Sequence, residues 1–133
     1  MSNLELLCEM LKSSLPEVRH KAALDLMGIG NPAAVPFLIE AIEKPVNRNY
    51  RGTLIYALSA FSCAGRFSQI FAWAAESGYE ATAGALCIIG EQALLPCPAE
   101  VPACEAILSK LQAQGGDLEL IEELQAILHG TMR

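Results

Sequence analysis

Apolar residues recur at helical spacing in two successive stretches near the start of the chain. Val18, Ala22, Leu26 and Ile29 form one stripe, with Ala23 beside it; Val35, Leu38, Ile39 and Ile42 form a second. Such spacing puts side chains on one face of an α-helix. Arg19, Lys21 and Asp25 fall off the first stripe, and Glu40 and Glu43 off the second. Ser14 and Glu17 stand as in a capping box, with Pro16 in the first turn, where its missing N–H costs nothing. Gly28 and Gly30 end the first helix, Asn31 caps the next, and Pro32 fills its first position. Residues 15–44 therefore read as two helices joined by a tight corner.

The pattern returns. Laying Arg51 on Arg19 places Leu54 on Ala22, Leu58 on Leu26 and Phe61 on Ile29; the same shift lays Ile70 on Leu38 and Phe71 on Ile39. A weaker third copy starts near Tyr79, where Ala83, Leu86, Ile89 and Gly90 echo Ala23, Leu26, Ile29 and Gly30. Its second helix would be Ala103–Gln114, with Ile107, Leu108 and Leu111 inward. The expected organisation is one domain over residues 1–133. A lone cap helix at 4–12 precedes pairs at 15–44, 47–77 and 79–114, and a final cap helix covers 117–129. Atypical terminal elements suit a stacked array whose ends face solvent.

The segments Pro-Glu-Val-Arg-x-x-Ala-Ala-x-x-Leu and Gly-x-x-x-Ala-Val-Pro-x-Leu carry a resemblance. The residues are Pro16, Glu17, Val18, Arg19, Ala22, Ala23 and Leu26, then Gly30, Ala34, Val35, Pro36 and Leu38. This stretch resembles a HEAT repeat of the short, lyase-like bacterial type. The match is specific over 15–44, moderate over 47–77 and weak beyond; both later copies lack the Val-Arg pair and the Ala-Val-Pro triplet. The resemblance implies an all-α protein, an α-solenoid (a right-handed superhelix) of about three to four antiparallel pairs and about eight helices. Its second helices would line a concave face. It implies no activity, since such repeats serve many unrelated proteins.

Composition narrows the classes. The chain of 133 residues is 53% hydrophobic and 18% charged, which suggests helices buried on more than one side or an apolar patch kept for a partner. Apolar runs are broken well short of the ~20 residues of a membrane span, and no secretory signal is visible at the start. The expected location is the cytoplasm. Residues 1–66 carry seven basic and six acidic side chains, and residues 67–133 carry two and nine. An acidic second half opposes a phosphate backbone, so nucleic acid is not expected; Arg48 and Arg51 read as a solvated helix start.

Candidate chemistry is sparse. Cys8, Cys63, Cys87 and Cys104 lie in apolar helical stretches and read as small hydrophobes; Cys97, between two prolines, is the exposed one. No ligand pair has zinc spacing, so neither metal nor cofactor is expected. His20 and His129 read as a solvated residue and a helix-end residue, and Glu119, Glu122 and Glu123 as a solubilising face. No phosphate loop or nucleophile elbow occurs, and no enzyme is expected.

The expected function is a non-catalytic adaptor that binds a protein or peptide on its concave face, as an immunity protein or a chaperone would. The candidate positions are Phe37, Glu40, Glu43, Lys44, Gln69, Trp73, Glu76 and Glu105. Trp73, where the first copy has Ala41, is either an interface anchor or a ring packed between second helices. An acidic rim favours a basic partner. The proline-rich 91–101 segment is either a contact element or a spacer. Terminal helices offer a surface for homo-oligomers. The alternative function is small-molecule binding or lyase-like chemistry in a groove near Trp73.

Overall fold

The computed structural model describes residues 2–76 and 78–130. These form α-helices α1 (Asn3–Met10), α2 (Pro16–Ile29), α3 (Val35–Glu43), α4 (Arg51–Leu58), α5 (Phe67–Glu76), α6 (Tyr79–Glu91), α7 (Val101–Ala113) and α8 (Leu118–His129). Short 3-10 turns at Pro32–Ala34, Pro45–Asn47 and Pro98–Glu100 join some of them. Among the described residues there is no strand, and the fold is an all-α, solenoid-like array.

Local chemistry sets the boundaries. Ser2 and Glu5 cap α1 reciprocally. The expected Ser14–Glu17 box at α2 does not form. Pro16 forces the residue before it into an extended conformation, so Leu15 becomes the N-cap, and its side chain makes no capping bond. Gly30 closes α2 at φ +72°, where a Cβ would be strained. Asn31 Oδ1 then accepts from the Ala33 N–H at 2.9 Å, which starts a 3-10 turn rather than the α-helix itself. Beyond α3, the buried Asn47 donates to the Ala41 carbonyl at 2.8 Å and Arg51 Nε to the Ile42 carbonyl at 2.8 Å. Arg51 thereby satisfies a carbonyl left open at the end of α3, while the Ala41 carbonyl also accepts from the Lys44 N–H at 3.2 Å.

The helices stack in two layers. In one, α2 packs on α4 and α4 on α6; across the layers the closest neighbours are α1 with α2, α3 with α4, α5 with α6 and α7 with α8. In the second layer α5 packs on α7, side chains of α3 meet those of α5, and α1 borders α3. The two layers close over a continuous core that includes Leu26, Leu38, Ile42, Leu54, Leu58, Ile70, Phe71, Ile88 and Leu124. Glycine lets α4 and α6 approach: a Cβ on Gly52 would lie 3.0 Å from the Glu80 Cβ.

Several side chains depart from the sequence expectation. Arg19 is buried at 2% exposure, its Nη1 donating to the Ser13 carbonyl at 2.7 Å, so its long stem packs inside the α1–α2 corner. Ile29 is exposed, because α2 ends there and the chain turns away at Gly30. In the third copy Ala85 and Ile88 are buried while Ala83 is exposed, a different register from the one drawn by alignment with the first. Cys87 is also exposed, on the outer side of α6, whereas Cys8, Cys63 and Cys104 are buried.

Candidate protein-binding face

The second layer presents the side chains proposed from the sequence. Phe37, Glu40 and Glu43 follow one another at three-residue steps on α3, a diagonal ridge on a helix surface. Phe37 is 41% exposed. It stands at a groove of about 250 Å³ between α1 and α3, lined by Leu4, Glu5, Cys8, Glu9 and Phe37. Lys12, Glu40, Ala41 and Lys44 continue that border toward the end of α3. An apolar floor with carboxylates on both sides results.

Trp73 is not at the surface. It is 2% exposed, and its indole Nε1 donates to Glu43 Oε1 at 2.6 Å. Gln69 Nε2 donates to the same oxygen at 3.1 Å. The ring thus packs between second-layer helices, one of its two expected placements. Its burial also removes the wall on which a small-molecule groove near Trp73 would depend. Glu43 remains exposed and links α3 to α5.

Farther along, Glu76 ends α5 and joins Arg48, Lys110 and Gln114 around a cavity of about 320 Å³. Glu105 is exposed on α7. Phe37, Glu40, Glu43 and Lys44 therefore stand together with Gln69, while Glu76 sits at the far end of α5. Taken as a lone cap, α1 would contribute nothing to this face, yet Leu4, Glu5, Cys8 and Glu9 line its groove. A signal was present: the shift relating Arg19 to Arg51, run backwards from Phe37 and Ala41, lands on Glu5 and Glu9.

The 91–101 segment is tied down at both ends. Gln92 Oε1 accepts from the Cys63 N–H at 2.8 Å, and its Nε2 donates to the Phe61 carbonyl at 2.9 Å. Glu100 accepts from the Cys97 N–H at 3.0 Å and the Ser68 N–H at 2.9 Å. Those two backbone donors hold its carboxyl down at about 2, against an ordinary 4.5. Between these ties Leu95 and Pro98 face solvent.

A larger cavity, about 480 Å³, opens at the starts of α4 and α6, lined by His20, Arg48, Tyr50, Arg51, Tyr79 and Glu80 among others. None of the expected binding residues reaches it. His20, expected in solvent, is half-buried against Tyr50, with ring centroids 6.0 Å apart. Among the described residues no three His, Cys, Asp or Glu side chains converge as a metal site, and no helix is long and apolar enough to cross a membrane.

Residues 2–60 match the family model for HEAT repeats, a span from α1 through α4 and so including Phe37, Glu40 and Glu43. No curated protein and no solved structure matches the chain.

Proposed function

We propose a non-catalytic adaptor, from a chain whose residues 2–60 match the model for HEAT repeats, which generally mediate protein–protein contacts. It binds a protein or peptide segment along the outward face of α1, α3, α5 and α7, taken as the concave side. The observation that carries this reading is the exposed Phe37 ring over the α1–α3 groove, flanked by Glu5, Glu9 and Glu40. Apolar contact supplies affinity at the centre of such a surface, and the charged rim selects the partner. The repeats are held by their own core, so the surface exists before the partner arrives and little ordering cost attaches to docking. A cytoplasmic immunity protein over a toxin domain, or a chaperone over an assembling subunit, would use such a face.

Chemical cross-linking in the native host, followed by mass spectrometry, tests the proposal. The captured partner should be lost with Phe37→Ala/Glu40→Lys and kept with Tyr56→Ala, which alters the exposed ring on α4 in the other layer. Loss with Tyr56→Ala and retention with the double variant would move the interface to the opposite layer and overturn the assignment.

A further inference from the structure

We propose, resting on the adaptor reading, that the bound partner is an extended segment with a lysine or arginine docked on Glu43, four residues from an apolar side chain docked on Phe37. The argument starts at the Glu43 carboxylate. Oε1 receives both the Trp73 and the Gln69 donors, at 2.6 and 3.1 Å. A carboxylate oxygen offers two lone-pair sites, so Oε1 is filled. Oε2 accepts no hydrogen bond among the described residues, and Glu43 is exposed. The group is therefore both oriented and half-used: a buried indole fixes its position while one oxygen still faces out.

The local charge is only partly accounted for inside the fold, by the two donors on Oε1. Glu43 is the last residue of α3, where the helix dipole is negative and a carboxylate is unfavourable. Glu40, one ridge step before it, carries a like charge at a spacing that repels. Neither acid has an ion-pair partner among the described residues, whereas Asp25 is paired with Lys21 at 2.9 Å. A glutamine at 43 would keep one oxygen for the Trp73 and Gln69 donors with weaker, uncharged bonds, and would leave an NH2 where Oε2 stands. The Trp73 and Gln69 donors offset part of this cost through Oε1, and Oε2 is left for a donor from outside the fold. The missing complement is a cation.

Geometry sets the spacing. From Phe37 to Glu43 the helix rises ~9 Å and rotates by ~240°, which separates the two side chains by a further ~9 Å across the helix. The direct span is then ~13 Å, or about four residues of extended chain. The segment would follow the Phe37–Glu40–Glu43 ridge, entering beside α1 at Phe37 and leaving beside α5 at Glu43, with Glu40 under its middle. A helical partner, at ~1.5 Å per residue, would need its two anchors about nine residues apart.

Twelve-residue synthetic peptides with one leucine and one arginine or lysine at spacings of one to ten test this directly. Trp73, the single tryptophan, reports the docking through its fluorescence. Binding should peak at a spacing of four. Glu43→Gln should weaken that peptide about tenfold and flatten its salt dependence, with the emission of the free protein unchanged because the indole keeps its acceptor. Phe37→Ala should weaken every leucine-bearing peptide regardless of spacing. Equal affinity for wild type and Glu43→Gln, or no dependence on spacing, overturns this inference. The adaptor reading survives that result if Phe37→Ala still abolishes binding. A maximum near nine would replace the extended segment with a helix and likewise overturn it. Should no peptide bind the wild-type protein, the inference fails, and cross-linking alone then judges the adaptor.

Discussion

Replacing Glu100 with glutamine removes a charge that holds the proline-rich segment against the start of α5. The carboxylate accepts from the Cys97 and Ser68 backbone N–H groups, and its carboxyl sits at about 2 in the folded chain against an ordinary 4.5. A lowered value means that the charged form is favoured by folding. The resulting stability is complete above about 4.5 and fades as the pH falls through about 2. Glu100 lies near solvent, and screening reduces the gain well below what two charge-assisted bonds would provide in a closed interior. Glutamine keeps one acceptor oxygen, so the substitution should cost about 1 kcal/mol at neutral pH, or a melting point lower by about 4 °C. Urea unfolding of wild type and Glu100→Gln at a series of pH values measures this. The gap should be ~1 kcal/mol at pH 7 and shrink toward zero near pH 2. Hydrogen exchange at the Ser68 amide should quicken in the variant. A gap of unchanged size at pH 2 and pH 7 would refute the reasoning, since it would assign the loss to shape and not to charge.

Other substitutions separate packing from propensity. Arg19→Ala removes a buried stem and its bond to the Ser13 carbonyl, and should cost about 2–4 kcal/mol by thermal unfolding; Arg19→Met, which keeps the stem, should cost roughly half as much. Gly28→Ala should stabilise by about 0.5–1 kcal/mol, because its Cβ meets nothing within 4 Å on a helix. Gly116→Ala should destabilise by about 1–2 kcal/mol, because its Cβ would lie 2.8 Å from Leu111 Cγ and 3.0 Å from the Leu111 carbonyl. A disulfide reagent at pH 8 should modify Cys87 and Cys97 first and leave Cys8, Cys63 and Cys104 until urea is added. Burial pushes the Cys104 thiol up to about 11 and raises Cys63 and Cys8 as well. One rate for all five cysteines would contradict the burial pattern.

What was legible in the sequence followed from one physical fact: a helix packed on a neighbour repeats its apolar residues every three or four positions. That fact located α2 and α3 and related them to α4 and α5. It is insufficient where a helix has neighbours on several sides. Helix α5 packs against α6, α7 and α8 and meets side chains of α3. Its buried set of Phe67, Ile70, Phe71, Trp73, Ala74 and Ala75 covers far more than one stripe. Counting from a single stripe places Trp73 off the core, because the count allows one buried face and the array provides more. Arg19 deceives in the same way: a charged residue beside a stripe reads as solvated until a carbonyl at the α1–α2 corner gives its guanidinium a partner inside. The departure of residue 73 from its alanine counterpart is still informative once these neighbours are known. Alanine at that position would leave Glu43 held by Gln69 alone; tryptophan there adds a second donor and holds it at the end of the exposed ridge. What residue 73 adds to the binding face is then expressed through the orientation of Glu43 on the neighbouring helix, a coupling visible only when α3 and α5 are placed side by side.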